Sequence, residues 1–489
     1  MRKARKQYLL ELLILMLVFT QFQQTNAQVQ LEQQVQITNN ALYFDGQKIS
    51  GSTAPNTGDN YDYKFGPDIS PHGDCIKTYK EFVFMTWYRG GKNDRHVMLT
   101  RYNTETGTMN TIEFPHRHTG YLNQWWIGES HNTIAIGVSP KNGTIHLVYD
   151  MHGYSRTRPS DGSFANDYLR YSFSKSNAAE VSDEEFTIEQ FVKDDDGDYK
   201  HLTMNGIINH DMFSGLTYPK FFLNDEGDLF LYVRKGGDKN GKFTFIKYDG
   251  ESTWENFFDF NALDAESKGH EYNWGLYGSM KYVGGKIRLG FQQRANILDD
   301  KYIYQNGIYY AYSDDPTGKS MWKNHKGESF DLPLIDSDKI KIFEPGDLVT
   351  TTQKDKVYIV KGFDWTVTDQ GDVHIISMVK DNQYNVTKKL HTYKSAGAND
   401  FSTTTDFRGA EAIYTSGNNI YIIGLNSSGR VYIEKAEGGT NEFEKIYEAT
   451  SGTIFDKGVI HISEGKLYYY LRGKGSGDER TTYLQVIDL

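Results

Sequence analysis

Two histidines, a tyrosine and an arginine sit where short hairpins would deliver them, and together they could move a proton and hold an anion. The stretch from Gly128 to Tyr154, GESHNTIAIGVSPKNGTIHLVYDMHGY, reads as one β-hairpin. Two apolar runs flank Ser139-Pro140-Lys141-Asn142-Gly143, and Asn-Gly between β-branched runs is a strong hairpin signal because both residues tolerate positive φ. Folding it between Lys141 and Asn142 sets His131 opposite His152, about 5 Å apart at Cβ. A second hairpin, TYPKFFLNDEGDLFLYVRK from Thr217 to Lys235, folds about Glu226 and places Tyr218 opposite Arg234. An imidazole takes or returns a proton near neutrality. A phenol donates one, and a guanidinium pairs with a carboxylate.

The elements that must position these side chains recur along the chain. Little of it reads as helix. An alternating apolar run, a Gly/Asn/Asp turn and a second run appear at Cys75–Arg89, Ile134–Asp150, Phe221–Val233, Met280–Phe291, Val373–Ser377, Ile413–Gly424 and Val459–Leu471. Repeats of this size, each a small antiparallel sheet, are the mark of propeller blades. The expected fold is all-β, a seven-bladed β-propeller of four-stranded antiparallel blades. The run from Val35 to Phe44 is expected to close the ring by pairing with the last blade, which removes the edge-strand problem of an open sheet. Tyr309 to Trp322 resembles the Asp-box turn of sialidase-like propellers through Ser313, Asp315, Gly318 and Trp322.

Successive blades present equivalent hairpin ends on one face. Counting outward from each turn puts Arg89, His152, Arg234 and Arg294 at similar heights in four neighbouring blades, with Tyr277 opposite Gln292. This predicts a cationic wall. Asn123, Gln124, Trp126 and Asn132 are candidate sugar contacts near the histidine hairpin: amides for hydroxyls, an indole for a ring face. A buried indole pair is the alternative for Trp125-Trp126. Asp194-Asp195-Asp196-Gly197-Asp198 fails the EF-hand pattern in either register and reads as a solvated acidic turn.

Composition sets the outer bounds. Residues 1–27 read as a secretory signal, with a basic start, an apolar core from Leu12 to Phe19 and Thr25-Asn26-Ala27 before a cleavage point at Gln28. Residues 28–489 are expected to form a single propeller domain that is exported and acts as a monomer. No later stretch approaches the roughly 18 apolar residues of a membrane helix. Cys75 is the only cysteine, so an intrachain disulfide and a Cys-rich zinc site are excluded. The formal net charge of −11 argues against nucleic acid as a partner. It leaves room for an anionic substrate held by a local cluster of Arg and His. The 35 Tyr and 28 Phe suit β-structure, with exposed rings available to sugars.

Phosphate-loop, G-x-S-x-G and H-E-x-x-H patterns are absent. A retaining glycosidase needs paired carboxylates, and only Glu129 stands beside the histidine hairpin. His, Tyr and Arg together fit β-elimination on a uronic acid better. At GESHN (128–132), YDMHGYS (149–155) and the Tyr218-Pro219…Arg234 spacing the chain resembles the β-propeller ulvan lyases, polysaccharide lyase families 24 and 25. The resemblance implies secreted cleavage of ulvan, an anionic sulfated algal polysaccharide of rhamnose 3-sulfate with glucuronate or iduronate. It implies proton transfer by His131 and Tyr218, neutralisation of the uronate by Arg234, and support from His152. It also implies a structural metal ion, calcium or zinc, whose ligands the sequence does not identify; no cofactor is expected in the chemistry. Tyr218 as acid and His131 as base is the favoured division. Two other classes stay open: a sialidase-like glycoside hydrolase and a non-catalytic carbohydrate-binding propeller.

Overall fold

The computed structural model describes residues 29–122, 124–149, 152, 170–207, 209–295, 297, 307–350, 357–358 and 362–489. The leader read over 1–27 and Asn123 lie outside them. Among the described residues helix is confined to short 3-10 turns, and no helix is long and apolar enough to cross a membrane.

Each of the seven hairpins expected from the alternating runs forms the inner half of a sheet. The inner strands are Ile76–Tyr79, Ile134–Val138, Leu216–Leu223, Trp274–Val283, Asp364–Val367, Tyr414–Ser416 and Phe455–Ser463. Each packs on the next, and the last returns to the first, so the strands form a closed ring around an axis. The sheets radiate from them as antiparallel blades. Five blades have four consecutive strands, the fourth and fifth sheets each with one further short strand (Lys341–Phe343 and Val357–Tyr358); the second has three named strands, extended by isolated bridges Tyr171–His201 and Ser174–Phe191. The seventh takes its fourth strand from the other end of the chain: Gln30–Leu42 runs antiparallel to Glu479–Asp488, as the order of runs predicts.

The hydrophobic core lies between blades. Phe84, Leu99 and Ile112 of the first pack on Ile136 and Leu147 of the second. Tyr470, Leu484 and Val486 of the seventh pack on Val83, Met85 and Met98 of the first. Every blade has two buried faces, which explains why strands such as Phe82–Tyr88 are buried along their whole length and read as near-continuous apolar runs. Close approach is bought with missing side chains: a Cβ at Gly290 would lie 2.4 Å from Trp365 in the next blade, and one at Gly137 2.7 Å from Phe221. Burying such an aromatic contributes about 1.5–3 kcal/mol. The Asp-box resemblance holds locally, with Asp315 accepting from the backbone of Thr317 and Ser320 and the Trp322 indole donating to Gly318. The acidic run closes on itself, Asp194 accepting from the backbone of Asp196 and Asp198.

Candidate active site

The first hairpin folds in the expected register. Ile134 pairs with Tyr149 and Val138 with Ile145, so His131 and His152 meet just beyond the ladder, ring centroids 4.5 Å apart. Both are partly exposed, with side-chain accessibilities of 29% and 23%. Beneath them lies Glu129, which is 0% exposed. Its Oε1 is 2.8 Å from Nδ1 of His131 and its Oε2 is 2.8 Å from Nδ1 of His152. Burial by itself would raise the Glu129 carboxyl; the hydrogen bonds and charges of the two imidazoles outweigh it and hold the group down at about 2.

The second hairpin departs from expectation at one point. Phe221 pairs with Leu231 and Lys220 with Tyr232, as a fold about Glu226 requires, but a bulge then shifts the ladder by one and Thr217, not Tyr218, stands opposite Arg234. Tyr218 adopts φ of +55°, an uncommon conformation for a large residue. Its Pro219 neighbour supplies no N–H to the ladder. With the bulge the phenol packs against the preceding blade, with ring centroids 5.9 Å from His131 and 5.8 Å from His152. Bulges re-aim side chains in this way beside active sites. Burial pushes the Tyr218 hydroxyl up to about 12; Arg234 and Arg294 pull the other way without cancelling it. The phenol is therefore a proton donor at neutral pH, and its hydroxyl has no hydrogen-bond partner among the described residues.

Arg234 is 4% exposed. It donates from Nε to Leu276 O, from Nη1 to Gly236 O and from Nη2 to Gly237 O. Gly241 and Gly275 make room for it, since a Cβ on Gly241 would lie 2.3 Å from Nη2. Its Cζ lies 4.6 Å from the Tyr277 ring centroid, and Arg294 lies 4.1 Å from the same ring. The fourth hairpin keeps its expected register, Tyr277 facing Gln292, with both turn glycines at positive φ.

His131, Tyr218, Arg234 and Tyr277 line one pocket of about 340 Å³. It shares Gly73, Asp74, Lys220, Tyr232, Tyr277 and Gly278 with a larger channel of about 760 Å³ among the inner strands. Phe65, 41% exposed, stands at the rim with its centroid 4.8 Å from His131 and 5.4 Å from His152.

Four expected substrate contacts lie elsewhere. Arg89 is not in the cationic wall: Asp94 and Glu113 of its own blade take its guanidinium, at 2.8 Å and 2.5 Å. Asn132 is fully buried and holds the backbone N–H of His152 at 2.8 Å, so it supports the site from behind. Gln124 donates to Ser52 O and the Trp126 indole to Ala54 O, anchoring the segment around residues 50–54. The wall that does form consists of Arg234 and Arg294 about Tyr277.

Sequence reading passed over His72. Its Nδ1 lies 2.7 Å from Ser130 O, and it lines the same pocket. Burial lowers it to about 4, so it is a neutral imidazole with its lone pair on Nε2. Extending the register of the first blade, in which Tyr79 faces Phe82, would have set His72 opposite Arg89 and drawn notice to it.

Glu129, His131 and His152 also form a compact group of metal-type donor atoms, all within 4.8 Å of one another. Within the triad both Glu129 oxygens and both Nδ1 atoms are engaged in hydrogen bonds. The cluster as arranged brings two imidazoles on one buried carboxylate, a phenolic proton donor and a buried cation together. That set can take a proton from carbon, return one to oxygen and stabilise an anion between them.

A family profile described as BNR repeat-containing family member matches residues 82–406. The short-isoform ulvan lyase of Alteromonas sp. (strain LOR) is 53% identical over 478 residues, covering 94% of this chain and 90% of that protein. The long-isoform ulvan lyase of Pseudoalteromonas sp. (strain PLSV) is 55% identical over 478 residues, 95% of this chain and 48% of the relative. The chain thus spans about half the length of its long-isoform relatives. The crystal structure of polysaccharide lyase Uly1 matches with a TM-score of 0.90 at 51% identity, over 94% of this chain and 99% of that one.

Proposed function

The chain belongs to the ulvan lyases of the BNR-repeat propeller fold, and we propose that it cleaves ulvan by β-elimination at its uronate residues. The observation that carries this reading is the meeting of Tyr218 with the carboxylate-backed pair His131 and His152, with His131, Tyr218 and Arg234 lining one pocket.

In the proposed reaction the uronate carboxylate lies toward Arg234. Removing H5 places a second negative charge beside that carboxylate, and the buried guanidinium stabilises the resulting enolate-like state more than the ground state. His131 takes H5 on Nε2. The C–H electron pair becomes the C4–C5 double bond, the C4–O bond to the neighbouring sugar breaks, and Tyr218 gives its proton to the departing oxygen. The raised Tyr218 pKa supports the acid role over the base role. His152 stands beside His131 on the same carboxylate. Arg294 and Tyr277 continue the cationic wall toward a sulfated neighbour. No step is routed through a metal ion; a structural calcium or zinc stays in the proposal without assigned ligands. Export of the chain and action as a monomer belong to the same reading.

A glycoside hydrolase is less well supported. The carboxylate lining the pocket is Asp74, which is bound to Lys77 and to the backbone of Phe221, and Glu129 is spent on the histidines. Among the described residues no second carboxylate lines the pocket for inverting or retaining hydrolysis. The deciding experiment incubates the protein with ulvan and follows ultraviolet absorbance together with new reducing ends. Elimination raises both, because each cut creates a C4–C5 double bond conjugated with the carboxylate. Reducing ends without absorbance mean hydrolysis, and binding with neither means a lectin-like module.

A further inference from the structure

We infer that Glu129 is a positioning residue that fixes the proton of both His131 and His152 on Nδ1, so that the pair offers two basic Nε2 nitrogens at once. This rests on the lyase reading only for what those nitrogens then do. The argument for the tautomers stands on geometry. Glu129 is 0% exposed, and each of its oxygens receives one imidazole Nδ1 at 2.8 Å. Oε1 lies also 3.2 Å from the backbone N–H of His131. An ionised carboxylate only accepts, so both Nδ1 atoms must be donors, and the lone pair of each neutral ring is left on Nε2. Neither ring has another side-chain hydrogen bond among the described residues that would reverse this.

Two rings on one carboxylate have a consequence that one ring would not. With both rings neutral the triad carries a single negative charge. When either Nε2 accepts a proton from carbon, the new imidazolium already touches the buried anion, and the triad becomes neutral. No reorganisation is needed at that moment, which is how preorganised charge lowers a barrier. The arrangement is that of a carboxylate orienting a catalytic imidazole, doubled.

The doubling makes a sharp test, because an amide cannot replace the carboxylate for both rings. In Glu129→Gln the amide oxygen accepts from one Nδ1–H, but the NH₂ group donates and forces the other ring to protonate on Nε2. One histidine keeps its tautomer and the other loses its basic Nε2. The experiment records imidazole ¹H–¹⁵N correlations on histidine-labelled protein, with His131→Ala and His152→Ala to assign the two rings, alongside kcat, KM and the pH profile on ulvan. We expect both rings as Nδ1–H in the wild type, one switched in Glu129→Gln, and a fall in kcat of roughly 10³–10⁴-fold with KM little changed. Glu129→Asp, which keeps the charge and retracts it by one methylene, should recover part of the rate and both tautomers. A wild-type ring protonated on Nε2, or a Glu129→Gln protein with both tautomers and kcat intact, overturns the inference. The wild-type spectra need no substrate and no variant of Glu129, so they decide the tautomers even if Glu129→Gln fails to fold. If wild-type protein gives no ultraviolet product while both rings read Nδ1–H, the lyase reading fails and the positioning role stands.

Discussion

The molecule holds two histidine pairs that look alike in outline and differ in what their nitrogens are doing. In the fifth blade His374 and His391 stack with centroids 5.1 Å apart, both 0% exposed. Asn441 donates its amide to Asp406, so its oxygen faces His391 Nδ1 at 2.7 Å. His391 Nε2 therefore accepts from His374 Nδ1 at 2.9 Å, and His374 Nε2 accepts from the Gly439 N–H at 2.9 Å. Every nitrogen is used once, and burial lowers the two rings to about 3 and about 4. In the pair at the pocket each ring spends one nitrogen on Glu129 and keeps the other. A histidine pair is a structural tie when its hydrogen bonds close on themselves, and a chemical tool when a rigid partner consumes exactly half of them.

The largest effect that would break this contrast comes from cutting each pair. His131→Ala should lower kcat/KM by roughly 10²–10⁴-fold with the melting temperature nearly unchanged. His391→Ala should cost about 2–4 kcal/mol of stability, because it leaves a cavity and strands His374 and Asn441, with turnover per folded molecule preserved. Denaturation and kinetics on the same samples check both. If His391→Ala silences turnover in a stable protein, the division between the pairs is wrong.

A smaller effect sharpens what holds the cation beside the working pair. Gly241→Ala introduces a Cβ against the Arg234 guanidinium. The expected displacement lowers kcat/KM by up to about 10²-fold without touching any reacting group. Equal activity would mean that Arg234 tolerates movement and does not register the substrate carboxylate.

The smallest effect is an absence of change. A Tyr218 pKa of about 12 keeps the phenol protonated at every pH below it. The pH–rate profile should then show no gain as pH passes about 10, the ordinary tyrosine value. A rise there would identify a phenolate base and exchange the roles of Tyr218 and His131.

Period and turn chemistry made the seven hairpins legible in sequence. Alternation of apolar residues and Asn-Gly or Gly-Gly turns act within about ten residues, and the registers at Ile134–Tyr149 and Tyr277–Gln292 follow from them. The bulge at Tyr218 was not legible, because the phenol's packing against two histidines of another blade, more than 60 residues earlier, is a tertiary matter. Arg89 misled for a related reason: its height in the blade was inferred, but Asp94 and Glu113 are placed by a turn and a strand outside the inner hairpin. Asn132 and Glu129 show the limit of composition. Each is a polar residue beside the histidines, and only burial reveals that both face inward and hold the site from below.

The clasp between Gln30–Leu42 and Glu479–Asp488 fixes an order of events during biosynthesis. The earlier strand waits through about 440 further residues for its partner, and loop closure over such a span is slow relative to local pairing. Until then each nascent chain carries an unpaired border at either end of its growing arc. Chains released early have no means of sealing that border, so interrupted translation yields sticky fragments rather than smaller working rings.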